Sequence, residues 1–385
     1  MPTSIIRLRT RLLRREADFA IEEKRMFRKL VIPVLLAVLC AFAQPCAAAT
    51  AKPVSLSTAW LDEYEAFVMW LARDKGWDKE IGLDVKMTLY SSGPAMIDGL
   101  SLGEWRFGAM GALPAMLGYL RLDMSVIGNG NDESLCNGVV LPKDSPIAKA
   151  KGLVPDHPDV LGSADAIRGK TFYTSVGTSA HYALYSWLSA FGLKQQDIKL
   201  RNVDQGQAVS ALVSKTVNGG VALWAPELFG VLEREDVLAG TVRDCGKTIP
   251  IVLVAETGYA EANPEMAAKF LSVYLRAVKF IRSTNPESLV PDYQRFCKEF
   301  GGRLCDEKLA LNDLKYHPVF TLEEQLDLFD TSSGPSQAQK WQSDMADFYF
   351  ATERINEENY DKVRNAGYVT DKYLRLVNTE FVNKN

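Results

Sequence analysis

The run Lys170-Thr171-Phe172-Tyr173-Thr174-Ser175, leading through Gly177-Thr178-Ser179 into Ala180-His181-Tyr182-Ala183-Leu184-Tyr185-Ser186-Trp187-Leu188-Ser189-Ala190-Phe191-Gly192, carries the fold class. Its first six residues have the β-branched and aromatic content of a strand. The later twelve place Leu184, Trp187, Leu188 and Phe191 on one helical face, and Gly192 suits a left-handed C-terminal cap. The same alternation continues: 198–203 reads as a strand, 208–217 as a helix, 221–224 as a strand and 226–233 as a helix. Strands and helices alternating at these lengths form parallel βαβ units.

A similar series precedes this one. Residues 54–60 read as a strand and 62–77 as a helix, with Phe67, Trp70 and Leu71 spaced for one face. Strands follow at 83–90 and 106–111, helices at 94–102 and 112–120, and strand-like runs at 125–128 and 138–141. Residues 143–169, rich in Pro, Gly and Asp, read as a loop inserted between two lobes. One more strand is expected at 249–254, and helices dominate after Asn263-Pro264.

Composition limits the function without naming it. The chain has 385 residues, 47% hydrophobic and 24% charged, which is ordinary globular content and excludes a disordered or fibrous protein. Its formal net charge of −4 argues against a nucleic-acid partner. The first 49 residues hold nine Lys or Arg and four Asp or Glu, leaving 35 and 44 of the totals of 44 and 48 to an acidic body. Met26-Phe27-Arg28-Lys29, an uncharged stretch over 30–43 and Ala47-Ala48-Ala49 have the layout of a secretory signal, with cleavage expected near Ala49. The apolar stretch is too short for the ~20 residues that span a bilayer.

Export places the remaining cysteines in an oxidising compartment. Cys297 and Cys305 flank a polar turn containing Gly301-Gly302, so a local disulfide is expected; Cys136 and Cys245 are left open. No Cys-x-x-Cys occurs and His157, His181 and His317 stand far apart, so no metal site is expected.

Gly177-Thr178-Ser179-Ala180-His181, Gly192-Leu193, Val221-Ala222-Leu223-Trp224-Ala225-Pro226 and Thr321-Leu322-Glu323-Glu324-Gln325 resemble the periplasmic substrate-binding proteins of sulfonate and taurine ABC importers. Ser92-Gly93, Gly111 with Pro114, and Gly169-Lys170 extend the resemblance over most of 54–350. It implies a two-lobed α/β binding protein of type II, with two hinge crossings and a helical C-terminal tail. Residues 1–49 would be the leader, 50–142 with 250–385 lobe one, and 143–249 lobe two, the crossings lying near 141–145 and 247–252. It also implies a monomer in the periplasm that passes a small anionic or zwitterionic ligand to a membrane ABC permease. Nitrate-like anions and pyrimidine-type heterocycles are carried by proteins of related build.

The candidate ligand contacts follow from this reading. Thr178 and Ser179 stand where a strand becomes a helix whose first turn has no acid, so backbone N–H groups there can receive an anion, with His181 as a further donor. Gly111 and Ala112 occupy the matching junction of lobe one. Trp60 and Trp224 end strands, where open α/β sheets bind ligands. An ammonium group would need an acid, and Glu227 and Glu133 are the candidates, among loop-end acids that also include Glu63, Asp132 and Asp204. No Gly-x-Ser-x-Gly elbow and no nucleotide-binding loop occurs, so neither catalysis nor a cofactor is expected.

Overall fold

The computed structural model describes residues 52–384. The expected leader and its cleavage site lie outside the described residues. Among the described residues, ten strands form two five-stranded sheets. The first contains β1 (Val54–Trp60), β2 (Leu83–Leu89), β3 (Phe107–Gly111), β4 (Met124–Asp132) and β10 (Pro250–Glu256), in the order β2-β1-β3-β10-β4. The second contains β5 (Asn137–Leu141), β6 (Thr171–Thr174), β7 (Lys199–Asn202), β8 (Gly220–Trp224) and β9 (Val237–Thr241), in the order β7-β6-β8-β5-β9. β1, β2 and β3 are mutually parallel, as are β6, β7 and β8. β10 enters the first sheet antiparallel between β3 and β4, and β5 enters the second antiparallel between β8 and β9.

The parallel cores have the physical origin anticipated from the alternation. Each strand feeds a helix that returns over the sheet: α1 (Tyr64–Asp74), α2 (Gly93–Ser101) and α3 (Ala112–Leu122) in the first lobe, α4 (Ser179–Ala190), α5 (Gln205–Val213) and α6 (Glu227–Leu232) in the second. Caps mark several starts: the Ser92 hydroxyl accepts from Ala95 N–H, and the Asp204 carboxylate from Gln207 N–H.

Two expectations about segment placement are corrected. β5 is hydrogen-bonded into the second sheet, so the chain changes sheets between Asp132 and Asn137, ahead of the crossing expected near 141–145. It returns between Thr241 and Pro250. Residues 143–169 are not an insertion between lobes. Ile147, Val160 and Ile167 are buried in the second lobe's core beside Trp187 and Phe172, and a one-turn helix spans Ala164–Ile167.

The tail is helical and belongs mainly to the first lobe. α7 (Pro264–Ser283) puts Phe270, Leu271 and Tyr274 into its core, and the Gln325 amide exchanges two hydrogen bonds with the backbone of Asn129 on β4. α8 (Pro286–Glu299), α9 (Glu307–Tyr316) and α10 (Gln337–Ala351) follow. The tail also reaches the second lobe: Lys308 pairs with Glu233, Tyr316 lies against Phe229, and Tyr349 donates to Gly177 O. Among the described residues no helix is long and apolar enough to cross a membrane.

Candidate functional site

In both sheets the parallel strands end on loops that carry chemistry, as open α/β sheets require for ligand sites. β1 delivers Asp62, Glu63 and Tyr64, and β8 delivers Trp224, Ala225 and Pro226. These two loops, Glu133 from the first crossing and the tail residues Tyr293, Arg303, Asp313 and His317 enclose a pocket of about 60 Å³. It therefore draws on both lobes and the tail.

Its walls are aromatic and internally braced. The Tyr64 ring stacks on His317 with centroids 5.1 Å apart and planes 11° from parallel. Tyr293 donates to Asp313 Oδ2 at 2.8 Å, and His317 Nδ1 donates to Asp313 O at 2.9 Å. Trp224 is held from behind: its backbone N–H donates to Gln205 Oε1, whose amide nitrogen donates to Glu227 Oε2, each at 2.8 Å.

The pocket's base is acidic. Oxygens of Glu63, Glu65 and Glu133 all lie within 4.8 Å of one another. Glu65 is completely buried and neither of its carboxylate oxygens has a hydrogen-bond partner. Burial pushes the Glu63 carboxyl up to about 7, with the charge of Asp62 adding to the effect. Glu65 and Glu133 are raised well above the carboxylate range, first by burial and then by the charge of Glu63. Like charges this close, out of water, do not ionise together, so the group holds protons or a cation. Arg303 is committed elsewhere, to Asp62. The Tyr274 hydroxyl, also buried without a partner, sits next to Glu65. A Cβ on Gly130 would stand 3.3 Å from both Tyr274 Oη and Glu65 Cβ, which leaves little room for a side chain there.

The sequence-derived contacts divide. Trp224 and Glu133 meet in the pocket. Glu227 does not line it and acts instead through Gln205 on Trp224. Trp60 is fully buried, stacked on Tyr274 at 6.4 Å and packed on Phe270, with its indole N–H on Thr58 Oγ1, so it is core rather than a ligand contact. His181 is buried too: Nδ1 accepts from Gly177 N–H and Nε2 meets Gln195 Oε1 at 2.8 Å. Burial lowers its pKa, so it brings no charge to an anion. Thr178 donates its hydroxyl to Ser175 O and makes no side-chain cap to α4. Thr178 and Ser179 open at the same sheet edge as Trp224, since β6 and β8 run in parallel register, but neither lines the acidic pocket. Gly111 and Ala112 form the β3–α3 junction, with Ala112 buried. The expected link between Cys297 and Cys305 is absent; both are free thiols.

Sequence reasoning passed over Glu65, Tyr293, Asp313 and His317. The last three come from tail helices whose approach no local pattern announces. Glu65 resembled an ordinary acid in a helix's first turn.

Comparison with known proteins agrees with this architecture. A protein of Brachyspira hyodysenteriae, named provisionally as an ABC transporter periplasmic binding protein, is 28% identical over 153 residues, 40% of this chain and 43% of that protein. A Brucella abortus protein, named provisionally as a binding protein, is 27% identical over 285 residues, 72% of this chain and 79% of that one. Among solved structures, the periplasmic aliphatic sulphonate-binding protein of Escherichia coli superposes with a TM-score of 0.64 at 16% identity, covering 81% of this chain and 92% of that one. The alkanesulfonate-binding protein of Xanthomonas axonopodis pv. citri bound to MOPS gives 0.59 at 17%, covering 83% and 99%. These likenesses establish the two-lobed periplasmic binding protein fold. The description "NMT1/THI5 like" matches residues 65–288, a span that runs from the acid in α1 through both lobes to the start of α8, and the chain belongs to that family.

Proposed function

We propose that this protein is the exported solute-binding component of an ABC import system, and that its ligand is a small zwitterion of the amino-sulfonate kind, taurine being the model compound. The observation that carries this reading is the meeting of Glu63 and Glu133 with Trp224 in one pocket between the lobes. Carboxylates in a desolvated, aromatic-walled pocket attract a cationic nitrogen, and the indole can cover an attached alkyl segment. A plain alkanesulfonate brings only negative charge to that pocket and is disfavoured there. The sulfonate end is supported by the sulfonate-binding proteins that share the fold, and by the α4 N-terminus at Thr178–Ser179, whose free backbone N–H groups favour anions. Contacts with both lobes would stabilise the closed form by differential affinity, giving a membrane permease a ligand-dependent shape to recognise. The working state is a monomer in the periplasm, needing no cofactor.

Thermal shift and titration calorimetry with taurine, ethanesulfonate and ethylamine test this. A charge-assisted hydrogen bond is worth ~1.5–3 kcal/mol, so taurine should bind roughly 10- to 100-fold more tightly than ethanesulfonate. Equal affinity for the two, or a preference for ethanesulfonate, would remove the acidic pocket from the binding site.

A further inference from the structure

Glu65 is unexplained by a ligand that touches only Glu63 and Glu133. It is the deepest of the three carboxylates, fully buried, with both oxygens unpartnered, and it does not line the pocket surface. Near it the Tyr274 hydroxyl is also buried without a partner. Such groups are retained against a desolvation cost, which a structural role does not repay.

We infer that Glu63, Glu65 and Glu133 form a three-oxygen seat for a primary ammonium group, and that Glu65 makes the protein selective for –NH₃⁺ over methylated and quaternary amines. The inference rests on the amine reading above and deepens it. Three acceptors placed about 2.8 Å from a tetrahedral nitrogen lie roughly 4.6 Å from one another. The three carboxylates satisfy that limit, with oxygens within 4.8 Å. Each N–H then has its own carboxylate, and the fourth substituent, the ligand's carbon, leaves toward Trp224. Each methyl group on the nitrogen removes one donor and pushes a carbon against a buried carboxylate. The other carboxylates lining the pocket are engaged, Asp62 by Arg303 and Asp313 by the Tyr293 hydroxyl, and the rings of Trp224, Tyr64 and Tyr293 share that lining, which suits a carbon-borne cation better than the six or more oxygen ligands calcium takes.

The test is titration calorimetry of the full mature chain with taurine, N-methyltaurine and N,N,N-trimethyltaurine, repeated with ethylammonium and tetramethylammonium by thermal shift. Loss of one charge-assisted hydrogen bond should lower affinity by about tenfold or more at the first methyl, and the trimethyl compound should not bind measurably. Glu65→Gln, checked for intact fold by circular dichroism, should bring taurine and N-methyltaurine within about threefold of each other. If that variant does not fold, Tyr274→Phe serves as the folded control and the wild-type methylation series decides. Amine binding that is indifferent to methylation overturns the seat but leaves the amine reading standing. Ethanesulfonate binding as tightly as taurine, or more tightly, overturns the amine reading itself. Saturable stabilisation of chelator-treated protein by Ca²⁺ or Mn²⁺, reversed by chelator and competitive with taurine, overturns the seat in favour of a metal site.

Discussion

The acid group at the pocket base should make the unliganded protein less stable as pH rises through neutrality, and Glu63→Gln should abolish much of that loss. Glu63 has its carboxyl raised from 4.5 to about 7 in the folded chain. Between these values the native state holds a proton that the unfolded state has released, so the slope of unfolding free energy against pH is negative. The stability is fully present below about pH 4.5 and lost as pH passes 7. At about 1.36 kcal/mol per unit, the 2.5-unit difference amounts to roughly 3 kcal/mol, and Glu65 and Glu133 act in the same direction. Other groups facing the cluster are Asp62 and Tyr64 on the same loop, Asp132 beside Glu133, Asp313 and His317 from the tail, and Tyr274 from α7. His181, outside the cluster, opposes the trend: its pKa is lowered, so its contribution grows as pH rises toward about 6.5. The exposed carboxylates held low by lysine and arginine partners, such as Glu80, change only below the ordinary carboxylate range. The loss from Glu63 therefore runs from about pH 4.5 to about pH 7, with His181 opposing it up to about pH 6.5. Melting curves of wild type and Glu63→Gln across that range should diverge, the variant ending several degrees higher at the alkaline end. Saturating amine ligand should flatten the wild-type curve, because the bound cation compensates the deprotonated carboxylates. Parallel curves for the two proteins across that window would refute the argument that the cluster carries protons when no cation is bound.

The two strand-end tryptophans should respond oppositely to truncation. Trp224→Ala should weaken ligand binding by about tenfold or more with modest loss of stability, whereas Trp60→Ala should cost ~3–5 kcal/mol of stability and leave affinity per folded molecule unchanged. A binding defect in folded Trp60→Ala would return Trp60 to the site. The cysteines give a chemical prediction. Cys305 is half-exposed and its pKa is lowered by the hydrogen bond from Cys297 and by Arg303, while Cys297 is buried and raised. Iodoacetamide should therefore label Cys305 well before Cys297, and a peptide map showing the two joined would contradict the free thiols.

Periodicity made the elements legible and their partners less so. Strands β1 to β8 and the helices between them follow from alternating spacing alone, because period is a local property. β9 was not anticipated. Its five residues follow Glu233-Arg234-Glu235-Asp236, and a short strand behind a charged run has no signal apart from the sheet that accepts it. β5 was recognisable as a strand but assigned to the wrong sheet, since a hydrophobic run does not say which neighbour completes its hydrogen bonds. The same limit separates Trp60 from Trp224. Both end a strand, but Phe270 and Tyr274, more than 200 residues away in the chain, arrive against Trp60 and close it into the core.

Glu65 is different, because its burial was inferable. The segment Tyr64-Glu65-Ala66-Phe67-Val68-Met69-Trp70-Leu71-Ala72 has one charged residue among nine and no polar stripe at helical spacing. A helix apolar all round is enclosed on every side, so its acid has no solvated face to occupy. Every residue of that segment is buried in the structure. A favourable interaction with the helix dipole, the ordinary explanation for an acid in a first turn, contributes ~0.3–1 kcal/mol at a surface, less than the several kcal/mol by which burying an unpaired carboxylate is penalised. The dipole therefore cannot account for the residue. With Glu63 and Glu133 beside it and no basic side chain of its own, what remains is protonation in the free protein, and on the amine reading proposed above the ligand's cation would replace those protons at the end of β1.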